Sequence, residues 1–144
     1  MPLKPFETAS VRMELQLMVT VQAPTEDIDR ILDQITLIAP LVQGKYDRNS
    51  YETAPGSERY RPLKGAAAGE ETEVRKRPGV SLVSFQIADE QTLLAELVEQ
   101  IFQVHCYQEP VILVEKVLAS RSKGLDDSKN PHRWWNTTGD WKKS

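Results

Sequence analysis

The chain has 144 residues, with 18 Lys or Arg against 21 Asp or Glu, so its formal net charge at neutral pH is −3. This length and a 40% share of hydrophobic residues predict one soluble domain that buries a core without disulfides or a structural metal. A mildly acidic chain does not fit a general nucleic-acid binder, because such proteins need a basic surface to displace counterions from phosphate.

The cysteine content and the lack of membrane or secretory segments favour a cytoplasmic location. The single cysteine, Cys106, excludes an intramolecular disulfide and a multi-cysteine zinc site, and it fits a reducing compartment. No run approaches the ~20 apolar residues of a membrane helix, and the N-terminal residues lack the apolar segment of a secretory signal. We therefore expect a cytoplasmic protein that binds neither a membrane nor nucleic acid.

The first part of the chain predicts a strand followed by a helix. Residues 1–12 show no periodicity and are expected to form an N-terminal arm. Apolar residues alternate from Met13 to Val21, as in a strand with one buried face. Thr25 suits the N-cap of the next helix, and Pro40 ends it. The apolar stripe of that helix consists of Ile28, Ile31, Leu32, Ile35 and Ile38.

The middle of the chain predicts extended structure interrupted by a long loop. Residues 45–53 alternate weakly and predict a second strand. Residues 54–69 are rich in glycine, alanine and proline, which is typical of a loop. Residues 73–87 predict a third strand with a bend or bulge at Pro78 and Gly79.

The last part of the domain predicts a second helix and a final strand. Asp89 is placed to cap the helix. Its apolar residues are Leu93, Leu94, Leu97, Val98, Ile101 and Val104. Residues 111–114 form a continuous apolar run, typical of a strand buried on both faces, and the strand continues to Leu118.

The element order β-α-β-β-α-β predicts an α+β, ferredoxin-like sandwich over residues 13–120, with both helices on one face of an antiparallel sheet. Met18 and Phe102 are apolar but lie off the predicted core faces. We expect oligomerisation to cover the apolar surface that the helices leave exposed.

The C-terminal tail, residues 121–144, is polar but contains all three tryptophans of the chain, Trp134, Trp135 and Trp141. An indole ring left in water forgoes a large burial energy. We therefore predict that the tail docks on its own domain or on a neighbouring subunit, with Trp134 and Trp135 at an interface. Whether it docks in cis or in trans stays open.

One segment resembles a known signature. His105-Cys106-Tyr107-Gln108-Glu109-Pro110 is similar to the His-Pro-Tyr-Glu-Glu-Pro motif at the end of the second helix in the domain inserted in the NGG one-interacting factor three family. A related signature occurs in CutA. Upstream motifs follow in the same order: Gly44-Lys45-Tyr46, Tyr60-Arg61-Pro62, Gly65-Ala66 and Gly69. The resemblance covers residues 13–118 and departs at Cys106 and Gln108, where the family usually has Pro and Glu.

This resemblance implies a ferredoxin-like domain of the PII and CutA type, a class that commonly forms trimers through sheet edges. The full-length family carries the His and Glu ligands of a two-metal centre on flanking lobes. This chain has only two histidines, His105 and His132, so those lobes have no counterpart in it. Similarity of fold does not carry function with it.

His105 and Cys106 are the one adjacent pair of soft metal ligands, and CutA-like proteins are associated with divalent metals such as copper. A transition-metal site here needs further ligands from other subunits. In the structural alternative, His105 caps the helix C-terminus and Cys106 is a small buried hydrophobe. A Cys106 nucleophile activated by His105 is disfavoured, because adjacent side chains point in different directions and no third group orients the base.

The glycine-rich segment carries Arg59, Arg61 and Lys64, which are placed to hold a phosphate or carboxylate. Alternatively, Tyr60-Arg61-Pro62 braces a long loop and Arg61 pairs with Glu109. The basic run at residues 75–77 lies beside several glutamates, which is more typical of a solvated hairpin edge than of a nucleic-acid patch.

We therefore expect an oligomeric PII- or CutA-like binding or regulatory module, with a trimer favoured, that takes a small anion or a metal at subunit clefts and has no catalysis of its own. The predicted ligand-binding residues are Tyr60, Arg61, His105, Tyr107 and Glu109. The alternatives are a CutA-like divalent-metal tolerance protein that uses His105 and Cys106, a small enzyme with an intersubunit site, and a module that binds a protein partner.

Overall fold

The computed structural model describes residues 3–124 and 128–136. Its strands are β1 (Phe6–Glu7), β2 (Val11–Pro24), β3 (Tyr51–Glu52), β4 (Gly56–Tyr60), β5 (Arg75–Ala88) and β6 (Val111–Ser122), and its helices are α1 (Ile28–Ile38) and α2 (Gln91–Val104). Short 3-10 turns occupy Thr25–Asp27 and Trp134–Asn136.

The strands form one antiparallel sheet with β2 at its centre. β2 pairs with β6 on one side and with β5 on the other, while β3 and β4 pair with the far edge of β5. β1 extends the sheet by pairing with the first residues of β2. This arrangement confirms the predicted α+β, ferredoxin-like fold.

The core lies between one sheet face and the two helices. Alternation along β2 sends Leu17, Val19 and Val21 to this face, as the period of two predicted. The buried partners from the helices and the neighbouring strand are Ile28, Ile31, Ile35, Leu97, Ile101, Val83, Phe85 and Ile87. Neither helix in the described residues is long and apolar enough to cross a membrane.

The second strand of the fold differs from the prediction. Only Tyr51 and Glu52 of the predicted strand at residues 45–53 pair with β5. The rest of the pairing comes from β4, which lies inside the segment predicted as a loop. A bulge separates the pairs Gly56–Val80 and Ser57–Pro78, where Gly79 has a φ of 78°, and it confirms the irregularity predicted at Pro78 and Gly79.

Neither predicted helix cap is present. The Thr25 hydroxyl hydrogen-bonds with the Ser81 hydroxyl (2.8 Å) instead of an orphan amide of α1. Asp89 precedes the N-cap residue, Glu90, and its carboxylate approaches Lys116 of β6 at 3.7 Å. Tertiary partners on neighbouring strands therefore replace the local caps.

The prediction that residues 111–114 are buried on both faces is wrong. Within the described residues β6 pairs with β2 alone, so it is an edge strand, and Val111, Leu113 and Val114 are exposed. Phe102 on α2 is also exposed. The continuous apolar run is typical of a central strand, but such a run does not determine whether one or two strands pair with it.

Trp134 and Trp135 pack against each other edge to face at 5.7 Å and stay 42% and 51% exposed. The turn that carries them is held by hydrogen bonds within residues 130–136, including the donation from the Asn136 side chain to the Asn130 carbonyl. Docking of the tail remains a prediction, and Trp141 lies outside the described residues.

Burial of the helix stripe predicts the cost of two matched substitutions. Leu97 is 0% exposed in α2, and Leu37 is 77% exposed in α1. We expect Leu97→Ala to lower the free energy of unfolding by about 2–5 kcal/mol, because it removes buried methyl groups and leaves a cavity. Leu37→Ala should change it by about 0.5 kcal/mol or less. Urea denaturation of both variants measures the difference, and equal effects would contradict this packing.

Candidate functional site

A cluster of polar side chains forms around the connection from α2 to β6, residues 105–110. His105 is the C-cap residue that follows α2, and it is 8% exposed. Its Nδ1 lies 3.1 Å from the Tyr107 backbone N–H, and its Nε2 lies 2.7 Å from the backbone carbonyl oxygen of Gln22 in β2.

These two contacts define the tautomer of the His105 ring. A backbone N–H only donates, so Nδ1 must accept with its lone pair, and a carbonyl oxygen only accepts, so Nε2 must carry the proton. The ring is therefore the neutral Nε2–H form with both nitrogens engaged. This geometry differs from the expected cap, in which a cationic histidine meets the carbonyls at the helix C-terminus.

The hydrogen bonds continue into a closed loop of four residues: His105, Gln22, Glu58 and Tyr107. The Gln22 side-chain amide donates to Glu58 Oε2 (2.6 Å), and the Tyr107 hydroxyl donates to Glu58 Oε1 (2.6 Å). Tyr107 returns to His105 through its backbone N–H, and the two rings lie 4.7 Å apart. The loop ties α2, β2 and β4 together at one end of the sheet.

Burial raises the pKa of Tyr107 well above its usual range, and the neighbouring Glu58 carboxylate raises it further. Arg77 opposes this change in pKa only weakly. Tyr107 therefore holds its proton at physiological pH and keeps donating to Glu58. The loop thus consists of a neutral imidazole, a neutral phenol, an amide and one carboxylate that accepts a hydrogen bond on each oxygen.

Arg77 of β5 lies over this cluster. Its guanidinium carbon is 5.4 Å from the centre of the Tyr107 ring, a cation–π distance. Glu58 faces Arg77 across the β4–β5 ladder, but its two oxygens accept hydrogen bonds from Gln22 and Tyr107 and not from Arg77. Within residues 3–124 and 128–136 the half-buried Arg77 forms no hydrogen bond or ion pair through its guanidinium.

The neighbouring arginine contrasts with Arg77. The Arg75 guanidinium forms an ion pair with Glu71 and lies 5.9 Å from the centre of the Tyr60 ring. Its hydrogen bonds to Glu71 and Tyr60 raise its pKa further above an already basic value. Arg75 therefore has a local partner that braces the 61–74 segment, whereas Arg77 is available to a ligand.

These elements enclose a cleft of about 530 Å³ between the β4–β5 hairpin, the 62–68 segment and the start of β6. One wall is joined to the other by the Ala67 backbone N–H, which donates to Gln108 Oε1 at 2.8 Å. The cleft is lined by Gln22, Glu58, Arg59, Tyr60, Pro62, Ala66, Ala67, Ala68, Arg77, Cys106, Tyr107, Gln108, Glu109 and Val111.

Three of the five predicted ligand-binding residues line this cleft: Tyr60, Tyr107 and Glu109. His105 lies behind its wall and orients Tyr107. Arg61 is exposed but is not part of the lining, and it forms no ion pair with Glu109 among the described residues. The predicted residues thus meet in one region, with Arg61 outside the cleft.

Sequence reasoning missed Gln22, Glu58 and Arg77. In the sequence, Gln22 is a polar residue just after the alternating apolar segment of the first predicted strand, and Glu58 lies in a segment predicted as a loop. Arg77 belongs to the basic run interpreted as a hairpin edge. That interpretation placed the residue on the right element, but only the register of β4 against β5 brings Arg77 to Glu58.

The predicted metal ligands are not arranged as a metal site within the described residues. Both His105 nitrogens are engaged, and no three His, Cys, Asp or Glu side chains in this part of the chain are placed to hold one ion. Cys106 is exposed and not a small buried hydrophobe, but partial burial raises the pKa of its thiol, and the adjacent Asp27 carboxylate raises it further. A higher thiol pKa disfavours both thiolate ligation and nucleophilic attack.

Known structures show what the fold is similar to. No protein-family model matches the chain, and no curated protein matches it in sequence. A NIF3-related protein from Bacillus cereus has a TM-score of 0.60 and 14% identity over 82% of this chain, which spans 28% of that protein's length.

Two CutA1 structures are also similar. The divalent ion tolerance protein CutA1 from Ehrlichia chaffeensis has a TM-score of 0.50 and 17% identity, covering 81% of this chain and 89% of its own. CutA1 from a psychrotrophic Shewanella has a TM-score of 0.51 and 12% identity, covering 72% and 82%. The chain therefore has the CutA/PII-like fold, and the resemblance predicted from sequence is confirmed at the level of fold.

Removal of the Tyr107 hydroxyl tests the hydrogen-bonded loop. Tyr107→Phe keeps the ring under Arg77 but leaves Glu58 Oε1 without its donor, so we expect the free energy of unfolding at pH 7 to fall by about 1–3 kcal/mol. Tyr51→Phe, at an exposed position, is the matched control and should be neutral. Denaturant titration measures both.

The same variant tests the raised pKa of Tyr107. Because the folded state holds this proton more tightly than the unfolded state, the stabilisation is complete below the ordinary tyrosine pKa of about 10 and is lost as the pH rises above it. Wild-type stability should therefore decline more steeply in this alkaline range than that of Tyr107→Phe. Parallel pH profiles would contradict the assignment.

Slow alkylation is expected at Cys106. Because its thiol pKa is raised, the folded protein should react with iodoacetamide at pH 8 more slowly than the same chain unfolded in urea. Asp27→Asn removes the neighbouring negative charge and should increase the rate in the folded state. Mass spectrometry of the alkylated product gives the rates, and faster reaction of the folded wild type would contradict this expectation.

Proposed function

We propose that this chain is an oligomeric binding or regulatory module that holds a small anionic ligand in the cleft and catalyses no reaction of its own. The single observation that carries the proposal is the Arg77 guanidinium, which is half-buried at the cleft and has no acidic partner among the described residues. A partly desolvated cation is stabilised by a bound anion.

The surrounding chemistry supports binding rather than turnover. Tyr107 holds its proton, His105 lies behind the cleft wall, and the Cys106 thiol has a raised pKa. None of these groups is poised as a nucleophile with an adjacent base. The cleft also has the volume typical of small-molecule sites, and the loop of hydrogen bonds organises its polar wall before any ligand arrives.

The exposed apolar residues support a homo-oligomer, for which we favour a trimer. Leu113 and Leu82 lie on the sheet face that the helices leave open, and both are exposed. Covering such a surface with further copies of the chain stabilises it. Because Leu113 follows Val111, a residue of the cleft lining, on β6, assembly on this face would place a neighbouring subunit beside the site.

The divalent-metal alternative, with His105 and Cys106 as ligands, is supported by this adjacent pair of soft ligands and by the similarity of fold to a divalent ion tolerance protein. The donor geometry does not favour it, since His105 offers no free nitrogen lone pair in this conformation. A small anion therefore remains the ligand that the described residues fit best.

Anion binding through Arg77 is tested by calorimetric titration of the purified protein with phosphate, sulfate, acetate, benzoate and citrate. We expect at least one of these anions to bind the wild type, and Arg77→Gln to weaken that binding tenfold or more. Lys76→Gln is the matched control, because Lys76 is a neighbouring exposed cation that does not line the cleft. Native mass spectrometry of the same samples reports the assembly.

Two results would overturn this function. If none of the five anions binds the wild type, the free guanidinium is not an anion site. If Arg77→Gln and Lys76→Gln weaken binding equally, the interaction reflects general surface charge, which salt screens, rather than the cleft.

A further inference from the structure

We infer that the ligand of the cleft is an amphipathic monoanion, with a flat apolar body and a single carboxylate. This inference rests on the proposed function and narrows its ligand class. The lining contains two kinds of residue, which we call the apolar half and the charged half of the cleft after their chemistry. The inference follows from this lining, from the balance of charges in the charged half, and from the position of Arg77 on the Tyr107 ring.

The apolar half has room for a hydrophobic body. Its lining consists of Tyr60, Pro62, Ala66, Ala67, Ala68 and Val111. The Tyr60 ring is 40% exposed and Val111 is 36% exposed, so a ligand that covers them removes apolar surface from water. A plain inorganic anion leaves this half unused.

The wall of the apolar half is held in place before binding. The Ala67 N–H donates to Gln108 Oε1 across the cleft, and Arg75 is ion-paired with Glu71 at the other end of the segment. A preorganised apolar wall favours a rigid planar body over a flexible one, because less motion is lost on binding.

The charged half is balanced rather than strongly cationic. Arg59 and Arg77 supply two positive charges to the lining, and Glu58 and Glu109 supply two negative charges. Glu58 lies directly across the ladder from Arg77, so each further negative charge on a ligand meets a carboxylate nearby. Arg77 is the half-buried arginine of this half and Arg59 is exposed; one carboxylate matches the charge of Arg77, whereas a phosphate dianion brings a second negative charge towards Glu58 and Glu109.

The position of Arg77 on the Tyr107 ring sets where the anionic group of a ligand would bind. The guanidinium carbon lies 5.4 Å from the centre of that ring, and no ion pair among the described residues uses its N–H groups, so they remain to donate to a ligand. Tyr107 is held by Glu58 and His105, which fixes the surface on which Arg77 rests. A carboxylate can accept two parallel hydrogen bonds from such a guanidinium, and the charge balance of this half favours it over a dianion.

Four probes separate the contributions of the apolar body, the negative charge and the type of anionic group to binding. They are 2-naphthoate, 2-naphthyl phosphate at pH 8, the neutral ketone 2-acetylnaphthalene, and acetate. By calorimetry, or by chemical-shift titration where heats are small, we expect 2-naphthoate to bind at least tenfold more tightly than the phosphate or acetate. The neutral ketone should bind more weakly than 2-naphthoate.

Variants assign each half of the cleft. Arg77→Gln should weaken the binding of 2-naphthoate tenfold or more and leave the binding of the neutral ketone unchanged. Val111→Thr introduces a side chain of nearly the same shape that is polar. It should weaken the binding of 2-naphthoate about threefold and leave the binding of acetate unchanged. Val42→Thr is its control, because Val42 is exposed and lies outside the cleft.

The outcomes distinguish this inference from the function on which it rests. If 2-naphthyl phosphate binds more tightly than 2-naphthoate through Arg77, the cleft is an anion site but the monocarboxylate assignment fails. If acetate binds as tightly as 2-naphthoate, the apolar half contributes nothing and the amphipathic assignment fails. If none of the anionic probes binds, the proposed function fails as well.

Discussion

Burial of the His105 imidazole is the constraint on which the site depends. A buried ring must satisfy both nitrogens, and here one accepts from the Tyr107 backbone while the other donates to the Gln22 carbonyl. These bonds bend the chain after α2 across the end of β2. Tyr107 is thereby brought to Glu58, and the Tyr107 ring becomes the surface under the Arg77 guanidinium.

The central position of β2 explains why one residue of that strand joins so many elements. Gln22 lies between β5 and β6 in the sheet, so its carbonyl meets α2 while its side chain reaches β4. The CutA1 and NIF3-related structures are similar to this chain in fold, at low identity. The argument for a ligand therefore comes from the free guanidinium and the cleft, because a fold accommodates many functions.

Hydrophobic periodicity predicted the elements that carry the core. The alternation from Met13 to Val21 and the stripe that includes Leu97 are confirmed, because each repeats one face of a regular element over several turns or pairs. The second strand was predicted poorly, since β3 and β4 are short and mostly exposed and their order comes from pairing with β5. The exposed edge position of β6 was missed, because the apolar composition of a strand does not determine how many other strands pair with it.

The sequence by itself determined the helices, the two long central strands, the order of elements and the importance of the segment around His105 and Tyr107, since these depend on local patterns and residue types. Only the tertiary structure decided which charges meet. Glu58, opposite Arg77 on β4, accepts hydrogen bonds from Gln22 and Tyr107 and forms no ion pair with Arg77 among the described residues. Those contacts join residues 36 and 49 positions apart, and strand register rather than sequence spacing brings them within hydrogen-bond distance.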